Sequence, residues 1–364
     1  MKQSFQYHFA PPKGWMNDPN GLMYYDGKVH AFYQHYPDGT FWGPMHWGHA
    51  VTEDFLHWEH LPIALYPEKP YDGLRGCWSG SGIEHDGKMY LFYTGDGAGT
   101  KQTQCLAIGD GTNFEKYEGN PVIAASPVGS NENFRDPKVF AFGDTYRMVC
   151  GTDADGVGKI LLFSSDDLIH WTYTNTLFET TSHGGTPECP DLFPVGDKWV
   201  LMFSAIKKQV ESTVLMVGEF DGENFQIEET VHPIGGEDYY APQSFLMPDG
   251  RRILIGWLYH WGRKPSEEDT AAGAFSIPCE VTMQDGRLHI FPVQEAQHLL
   301  TKESEFVRID GTVVTILRKE GEPIAFDMTE KGIAKIETVD ILYDETAVEV
   351  FINGGAAYVA QWLI

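Results

Sequence analysis

The chain has 364 residues, of which 42% are hydrophobic and 21% charged, so it is long enough for one large globular domain and a second, small one. Its 52 acidic residues outnumber its 26 basic ones and give a net charge of −26 at pH 7. This charge repels polyanions, so neither a nucleic acid nor an anionic membrane is expected as a partner.

A turn followed by an alternating apolar strand recurs along the chain. The first two copies, residues 26–33 and 86–93, both begin with Asp-Gly, and three looser copies follow. Successive turn glycines are separated by 60, 56, 53 and 54 residues, at Gly27, Gly87, Gly143, Gly196 and Gly250. Asp-Gly between apolar strands predicts a hairpin, because glycine adopts the positive φ that such turns need.

A second turn with a short apolar segment follows each of the first four hairpins, at residues 52–58, 111–114, 164–171 and 221–225. These segments are typical of the outer strand that closes a four-stranded unit. Five such units in about 290 residues predict an all-β fold, a five-bladed β-propeller. A two-sheet sandwich is the alternative, but nothing in that fold requires a repeat of about 55 residues.

The repeat ends near residue 293, which sets the predicted propeller domain at residues 1–293. Residues 294–304 are predicted to be a linker with a short helical segment. The tail, residues 305–364, alternates with period two at 312–316, 333–337 and 347–352, and a hairpin sequence follows at Asn353-Gly354-Gly355. We therefore predict a small C-terminal β module packed on the propeller.

Three acidic residues stand at similar positions in their repeats. Asp18 lies nine residues before its hairpin glycine, Asp136 seven and Glu188 eight. The innermost strand of a blade precedes this hairpin and lines the central channel, so all three are expected in one pocket. Crowded, buried carboxylates are unfavourable for stability. Glycoside cleavage, however, needs a carboxylate nucleophile together with a carboxylic acid.

The neighbours of these acids suggest different protonation states. Arg135 is next to Asp136 and is expected to keep that acid ionised. Glu188 is followed by the apolar Cys189, which is compatible with a raised pKa and a role as acid. An Asp-Pro pair alone usually marks a turn, so the functional reading depends on the shared positions of the three acids.

Five stretches resemble glycoside hydrolase family 32, the invertases, fructanases and sucrose-6-phosphate hydrolases. They follow the family's order at residues 15–21 (Trp-Met-Asn-Asp-Pro-Asn-Gly), 32–34, 78–80, 135–137 and 188–191. The resemblance implies a five-bladed propeller followed by a β-sandwich, and a double displacement that retains configuration. It further implies that Asp18 is the nucleophile, Glu188 the acid/base and Asp136 the transition-state stabiliser.

The resemblance also implies which residues line the fructose subsite: Asn17, Gln34, Trp42, Trp78, Ser79, Arg135, Asp238, Tyr240 and a late tryptophan, for which Trp257 is preferred over Trp261. The family's C-terminal sandwich is normally much longer than the tail here. Residues 343–353 resemble its late strands, so the module is expected to be shortened internally. The oligomeric state stays open.

The sequence thus predicts a retaining β-fructofuranosidase that hydrolyses sucrose or short fructooligosaccharides. One alternative is a sucrose-6-phosphate hydrolase, for which Arg75, Lys207 and Lys208 are candidate phosphate contacts. A fructosyltransferase is another, and a carbohydrate-binding protein without turnover is disfavoured because all three acids are present. An arabinanase-type enzyme would share the five blades but gives no reason for residues 15–21.

Other features receive plainer interpretations. Two histidines, His46 and His49, lack a third metal ligand, and residues 153–156 lack the final acid of a calcium loop, so no metal and no cofactor are expected. Trp58 and Trp171 occupy equivalent positions and are predicted to pack within blades. The five cysteines show no paired spacing and predict reduced, buried thiols. With no apolar leader and no run of 18 apolar residues, a cytoplasmic location is expected.

Overall fold

The computed structural model describes residues 2–183, 185–206 and 212–364. The first four blades are four-stranded antiparallel sheets. Blade one contains β1 (Gly14–Tyr25), β2 (Lys28–Tyr36), β3 (His46–Thr52) and β4 (Trp58–Leu65). Blade two contains β5 (Gly76–His85), β6 (Lys88–Gly97), β7 (Lys101–Gly109) and β8 (Phe114–Lys116). Blade three contains β9 (Arg135–Phe142), β10 (Thr145–Ala154), β11 (Val157–Ser165) and β12 (Thr172–Thr180). Blade four contains β13 (Glu188–Val195), β14 (Lys198–Ser204), β15 (Thr213–Phe220) and β16 (Phe225–Val231).

The fifth blade completes a closed ring. After the short β17 (Ile234–Gly235) it contains β18 (Tyr239–Leu246), β19 (Arg252–Leu258), the two-residue β20 (Ala271–Ala272) and β21 (Ala274–Phe275), β22 (Cys279–Gln284) and β23 (Arg287–Pro292). The first strand of each blade packs against the first strand of the next, and β18 packs against β1. In addition, β20 pairs in parallel with β1. The arrangement confirms the predicted five-bladed propeller.

The first two predicted Asp-Gly turns form two-residue hairpins. Between β1 and β2, Asp26 and Gly27 both have positive φ, at 45° and 84°. Asp86 and Gly87 repeat this conformation between β5 and β6, at 50° and 71°. This is the turn whose twist matches that of the flanking strands, and it needs positive φ at both central residues.

The outer turns of blades one and three have the same pattern of hydrogen bonds. Asp54 Oδ1 accepts from the backbone N–H of His57, and Asp167 Oδ1 accepts in the same way from His170, both at 2.8 Å. The indoles that follow, Trp58 and Trp171, each donate to a backbone carbonyl three residues earlier at 3.2 Å. Trp58 and Trp171 therefore pack within their blades, as predicted.

Beyond the propeller, a 3₁₀ helix (Gln294–Leu299) leads into two small sheets. The first has three antiparallel strands, β24 (Val307–Asp310), β25 (Val313–Ile316) and β26 (Ile324–Asp327), followed by a 3₁₀ helix (Met328–Lys331). The second has β27 (Val339–Asp344), β28 (Ala347–Ile352) and β29 (Ala357–Trp362), and the propeller's β17 pairs in parallel with β29. A further 3₁₀ turn, Asn131–Asn133, precedes β9.

The predicted strand at residues 333–337 is wrong. Gly332, with a φ of 70°, ends the preceding 3₁₀ helix, and the backbone N–H of Ile333 bonds back to the Met328 carbonyl. The N–H groups of Glu337 and Thr338 then donate to the side chain of Asn353. The segment alternates in hydrophobicity because Ile333 is buried against the module, but its hydrogen bonds do not enter a sheet.

The C-terminal module and the propeller share one hydrophobic core. Phe351, Tyr358 and Trp362 belong to the same buried cluster as Tyr239 and Ile290 of blade five. All five cysteines are buried and none forms a disulfide, as predicted. In the described part of the chain, the helices are too short and too polar to cross a bilayer.

Candidate active site

Every inner strand of the propeller is bulged where it reaches the channel. The register with the second strand shifts around Asn17 and Asp18 in β1, Ser79 in β5, Asp136 in β9, Cys189 in β13 and Ala241 in β18. Three of these residues have positive φ, namely Asp136, Cys189 and Ala241. Bulges next to active sites re-aim side chains. The proline that follows in four blades fits here because a bulged residue gives no ladder hydrogen bond.

The bulges surround one cavity of about 1120 Å³. Its lining includes all the residues predicted from the sequence: Asn17, Asp18, Gln34, Trp42, Trp78, Ser79, Arg135, Asp136, Glu188, Asp238, Tyr240 and Trp257. Within that set the side chains differ in burial and in partners, and these differences separate direct from supporting roles.

Asp18 lies at the end of the bulge in β1. Its Oδ2 accepts hydrogen bonds from the Ser79 hydroxyl at 2.5 Å and from the Cys189 thiol at 3.5 Å. Burial raises the pKa of Asp18, while these donors and Asn17 oppose the rise and the nearby Glu188 adds to it. The two donors on one oxygen fix the orientation of the carboxylate.

Asp136, in blade three, also contacts Cys189. Its Oδ2 accepts from the backbone N–H of Cys189 at 2.8 Å, and its own N–H donates to the Thr94 hydroxyl at 2.9 Å. Burial raises the pKa of Asp136 to about 7, and the positive charge of Arg135 opposes this only in part. The adjacent positive charge thus favours the ionised form of Asp136, but desolvation outweighs it in setting the direction of the pKa shift.

The Arg135 guanidinium instead contacts Glu188. Its two nitrogens Nε and Nη2 lie 3.2 and 2.9 Å from Glu188 Oε1. The other oxygen, Oε2, accepts a 2.5 Å hydrogen bond from the Tyr240 hydroxyl. Adjacency in sequence does not predict these contacts, because they join side chains of three different blades and depend on the bulges.

Aromatic rings form part of the cavity lining. Trp42 and Trp78 meet edge to face at 5.9 Å, and Trp42 is 45% exposed. In a second pair, Trp261 is 46% exposed, whereas Trp257 is 1% exposed and stacks on Tyr259. Trp261 therefore offers a face to a ligand, and Trp257 supports it from behind with ring centroids 5.0 Å apart.

Asp238 lines the same cavity and is held by several hydrogen bonds. It is 2% exposed, and its carboxylate accepts from His260 Nδ1 at 2.8 Å and from the backbone N–H of Trp362 at 3.0 Å. The Gln361 amide donates to the same carboxylate. Gln34 is likewise held, because its Nε2 donates to the Cys77 carbonyl at 2.9 Å.

The sequence reasoning missed one wall of the cavity. Residues of the C-terminal module line it, namely Val313, Ala325, Phe326, Asp327, Glu330 and Lys331. Their position depends on the pairing of β17 with β29 across the domain boundary. No local sequence signal reports such a pairing. Cys189 was also missed as a link between Asp18 and Asp136, since its role rests on a bulge conformation.

The other candidate contacts named from the sequence differ in what is known of them. Arg75 pairs with Asp96 and is not among the described lining residues, and Lys207 and Lys208 lie outside the described residues. His49 stacks on Phe32 in the core at 4.1 Å. Within residues 2–183, 185–206 and 212–364, no group of three His, Cys, Asp or Glu side chains is placed to hold a metal ion.

Comparison with known proteins gives a consistent picture. The sequence profile of the N-terminal domain of glycosyl hydrolases family 32 matches residues 8–292. A sucrose-6-phosphate hydrolase from Escherichia coli is 42% identical, covering 80% of this chain and 65% of that protein. A raffinose invertase from Escherichia coli is 39% identical, covering 81% and 66%. The chain thus spans about two thirds of the length of these relatives.

A solved structure extends the similarity over nearly the whole chain. It is a GH32 β-fructofuranosidase from Bombyx mori, determined as a mutant in complex with sucrose. It superposes with a TM-score of 0.85 at 30% identity, covering 99% of this chain and 88% of that one.

Proposed function

This chain belongs to glycoside hydrolase family 32, and from that premise we propose that it is a retaining β-fructofuranosidase acting on sucrose and short fructooligosaccharides. The observation that carries the proposal is the meeting of three carboxylates around Cys189. Its thiol contacts Asp18, its N–H contacts Asp136, and it follows Glu188 directly in the chain. Glycoside hydrolysis with retention requires such a nucleophile and acid/base pair.

In the proposed first step, Glu188 donates a proton to the glycosidic oxygen and Asp18 attacks the anomeric carbon of fructose. Because Ser79 and Cys189 both occupy Oδ2, we assign the attack to Oδ1 of Asp18. In the second step water attacks the anomeric carbon while Glu188 accepts its proton. The bond between Asp18 and the sugar breaks, and fructose is released. Asp136 stabilises the positive charge that develops on the sugar ring.

The mechanism also requires Asp18 and Asp136 to be ionised when the substrate is bound. Burial and mutual repulsion raise the pKa of both Asp18 and Asp136. Hydroxyl groups of a bound fructose can donate to these carboxylates, which favours their ionised forms. We propose that substrate binding thereby leaves Asp18 and Asp136 ionised for the first step.

The exposed faces of Trp42 and Trp261 are assigned to contacts with the sugar, with Trp78 behind Trp42. We further propose residues 1–293 as the catalytic propeller, 294–304 as a linker and 305–364 as an accessory module that completes the cavity wall. The five buried thiols, none in a disulfide, support a cytoplasmic location.

The proposal is tested by fructose release from sucrose. The Asp18→Ala variant should lose about 10⁴-fold or more in kcat/KM, because the covalent step is removed. Asp86→Asn, which alters an exposed hairpin acid, is the matched control and should resemble the wild type. Near-normal activity of Asp18→Ala would refute the assignment.

Two further measurements complete the test. Methanol as acceptor should give the β-fructofuranoside, seen by NMR, and the α-anomer would exclude retention. At high sucrose concentration, trisaccharides as the main product would indicate the fructosyltransferase alternative.

A further inference from the structure

The cavity extends well past the three catalytic carboxylates, along the wall formed by the C-terminal module. This wall is defined here as Glu237 of the β17–β18 loop together with Phe326, Asp327, Glu330 and Lys331. Fructose occupies the end at Asp18 in the proposed function, so the wall borders the part of the cavity that receives the leaving group. The wall is therefore placed to select the aglycone.

The wall is held rigidly against the propeller. Lys331 Nζ donates to the carbonyls of His232 and Ile234 at 3.3 and 3.4 Å. Asp327 caps the 3₁₀ helix Met328–Lys331 by accepting from the Thr329 N–H at 2.9 Å. The charged groups of Asp327 and Lys331 thus have defined positions in the cavity wall.

The described lining of the cavity is strongly acidic. It contains seven carboxylates, namely Asp18, Asp136, Glu188, Glu237, Asp238, Asp327 and Glu330. Three basic side chains accompany them within the described residues: Arg135, Lys331 and His260, whose Nδ1 lies 2.8 Å from Asp238 Oδ1. Arg135 is engaged by Glu188, and Lys331 is engaged by backbone carbonyls.

These charges have a predictable effect on a phosphorylated ligand. Hydrogen bonds from Thr329 lower the pKa of Asp327, so this group is ionised at neutral pH. Glu237 and Glu330 are exposed at the same wall. Each ionised carboxylate within about 10 Å of a phosphate weakens its binding by about two-fold or more. Phe326 and Trp261, in contrast, offer apolar faces that suit a neutral sugar.

We propose that the C-terminal wall selects a neutral aglycone and rejects one that carries a phosphate group. The inference rests on the proposed function and sharpens it, since it separates sucrose from sucrose 6-phosphate as substrates. It concerns this chain's own lining, because a sucrose-6-phosphate hydrolase and a raffinose invertase are both among its relatives.

The first experiment compares kcat/KM for sucrose and sucrose 6-phosphate with the full chain. We expect sucrose to be preferred by about ten-fold or more, with a preference that shrinks as salt is raised. The double variant Glu237→Gln/Glu330→Gln should shift the ratio toward the phosphorylated substrate by about five-fold. The control Glu303→Gln/Glu305→Gln removes two exposed charges at the boundary of the linker and the module, outside the cavity, and should leave the ratio as it is.

Two outcomes would overturn the inference: equal or better turnover of sucrose 6-phosphate, or a ratio that does not respond to Glu237→Gln/Glu330→Gln. In the first case, loss of that turnover in Lys207→Ala/Lys208→Ala would assign phosphate recognition to those lysines. Calorimetric titration of the Asp18→Ala variant with both sugars measures the same preference without catalysis. If neither sugar is hydrolysed by the wild type, the proposed function fails, while the titration still decides the inference.

Discussion

A buried ion-pair cluster of His8, Asp344 and Glu349, called the clasp below, makes the stability of the protein depend on pH. His8, which is 6% exposed, lies between Asp344 and Glu349, with Nδ1 and Nε2 each 2.7 Å from a carboxylate oxygen. Burial alone lowers the pKa of His8, but the hydrogen bonds and charges of the two acids outweigh it and raise the pKa to about 9. The imidazolium therefore joins the N-terminal segment to β27 and β28.

The size of the effect follows from linkage. A rise from 6.5 to about 9 corresponds to about 3 kcal/mol of folding free energy. Because the folded-state pKa is raised, this stabilisation is fully present below pH 6.5 and is lost as pH rises toward 9. The His8→Gln variant should lose this dependence. It should also be less stable at pH 6 by about 3–5 kcal/mol, because two buried carboxylates lose their partner.

Urea unfolding at pH 6.0 and pH 9.5, followed by tryptophan fluorescence, measures both quantities. The control is His298→Gln, which removes an exposed histidine and should keep the wild-type dependence. If the wild type and His8→Gln lose the same stability between the two pH values, the clasp is not charged in the folded protein and the reasoning is wrong.

Two further predictions concern the cavity and the strands beneath it. Tyr240→Phe removes the 2.5 Å hydrogen bond to Glu188 and should lower kcat/KM for sucrose by about 10- to 100-fold, measured by fructose release; an unaltered rate would show that this contact does not matter for turnover. Lys138→Met leaves Asp191 buried without its 3.1 Å partner and should cost about 3–5 kcal/mol in urea unfolding. Adding Asp191→Asn should restore much of that loss, and failure to do so would argue against an ion pair.

The propeller was predictable because its signal is local and repeated. Asp26-Gly27 and Asp86-Gly87 encode their turns directly, since few other pairs adopt two positive φ angles at low energy. The regular spacing of such turns then determines the number of blades. The acids were found through the same spacing, because position before the hairpin sets the depth of a residue in the channel.

The partners of the acids were not predictable in this way. Arg135 contacts Glu188 of the next blade, although Asp136 is its neighbour in sequence, because the bulge at Asp136 sets the directions of these side chains. The alternation at 333–337 reports the burial of Ile333 and not a strand. Likewise, Phe326 and Glu330 reach the cavity because the module packs on the propeller, with contacts between distant segments such as β17 and β29.

The clasp at His8 also has a kinetic consequence. Hydrogen bonds from the N-terminal segment to Asp344 and Thr346 join residues 336–342 positions apart. Closing such long loops is slow, since their entropy must be lost before the contacts form. Early blades can collapse individually during synthesis. The C-terminal strands, in contrast, must fold onto the propeller before Asp238 and the cavity wall are held in place. Activity should therefore appear late in refolding, after most of the β structure has formed.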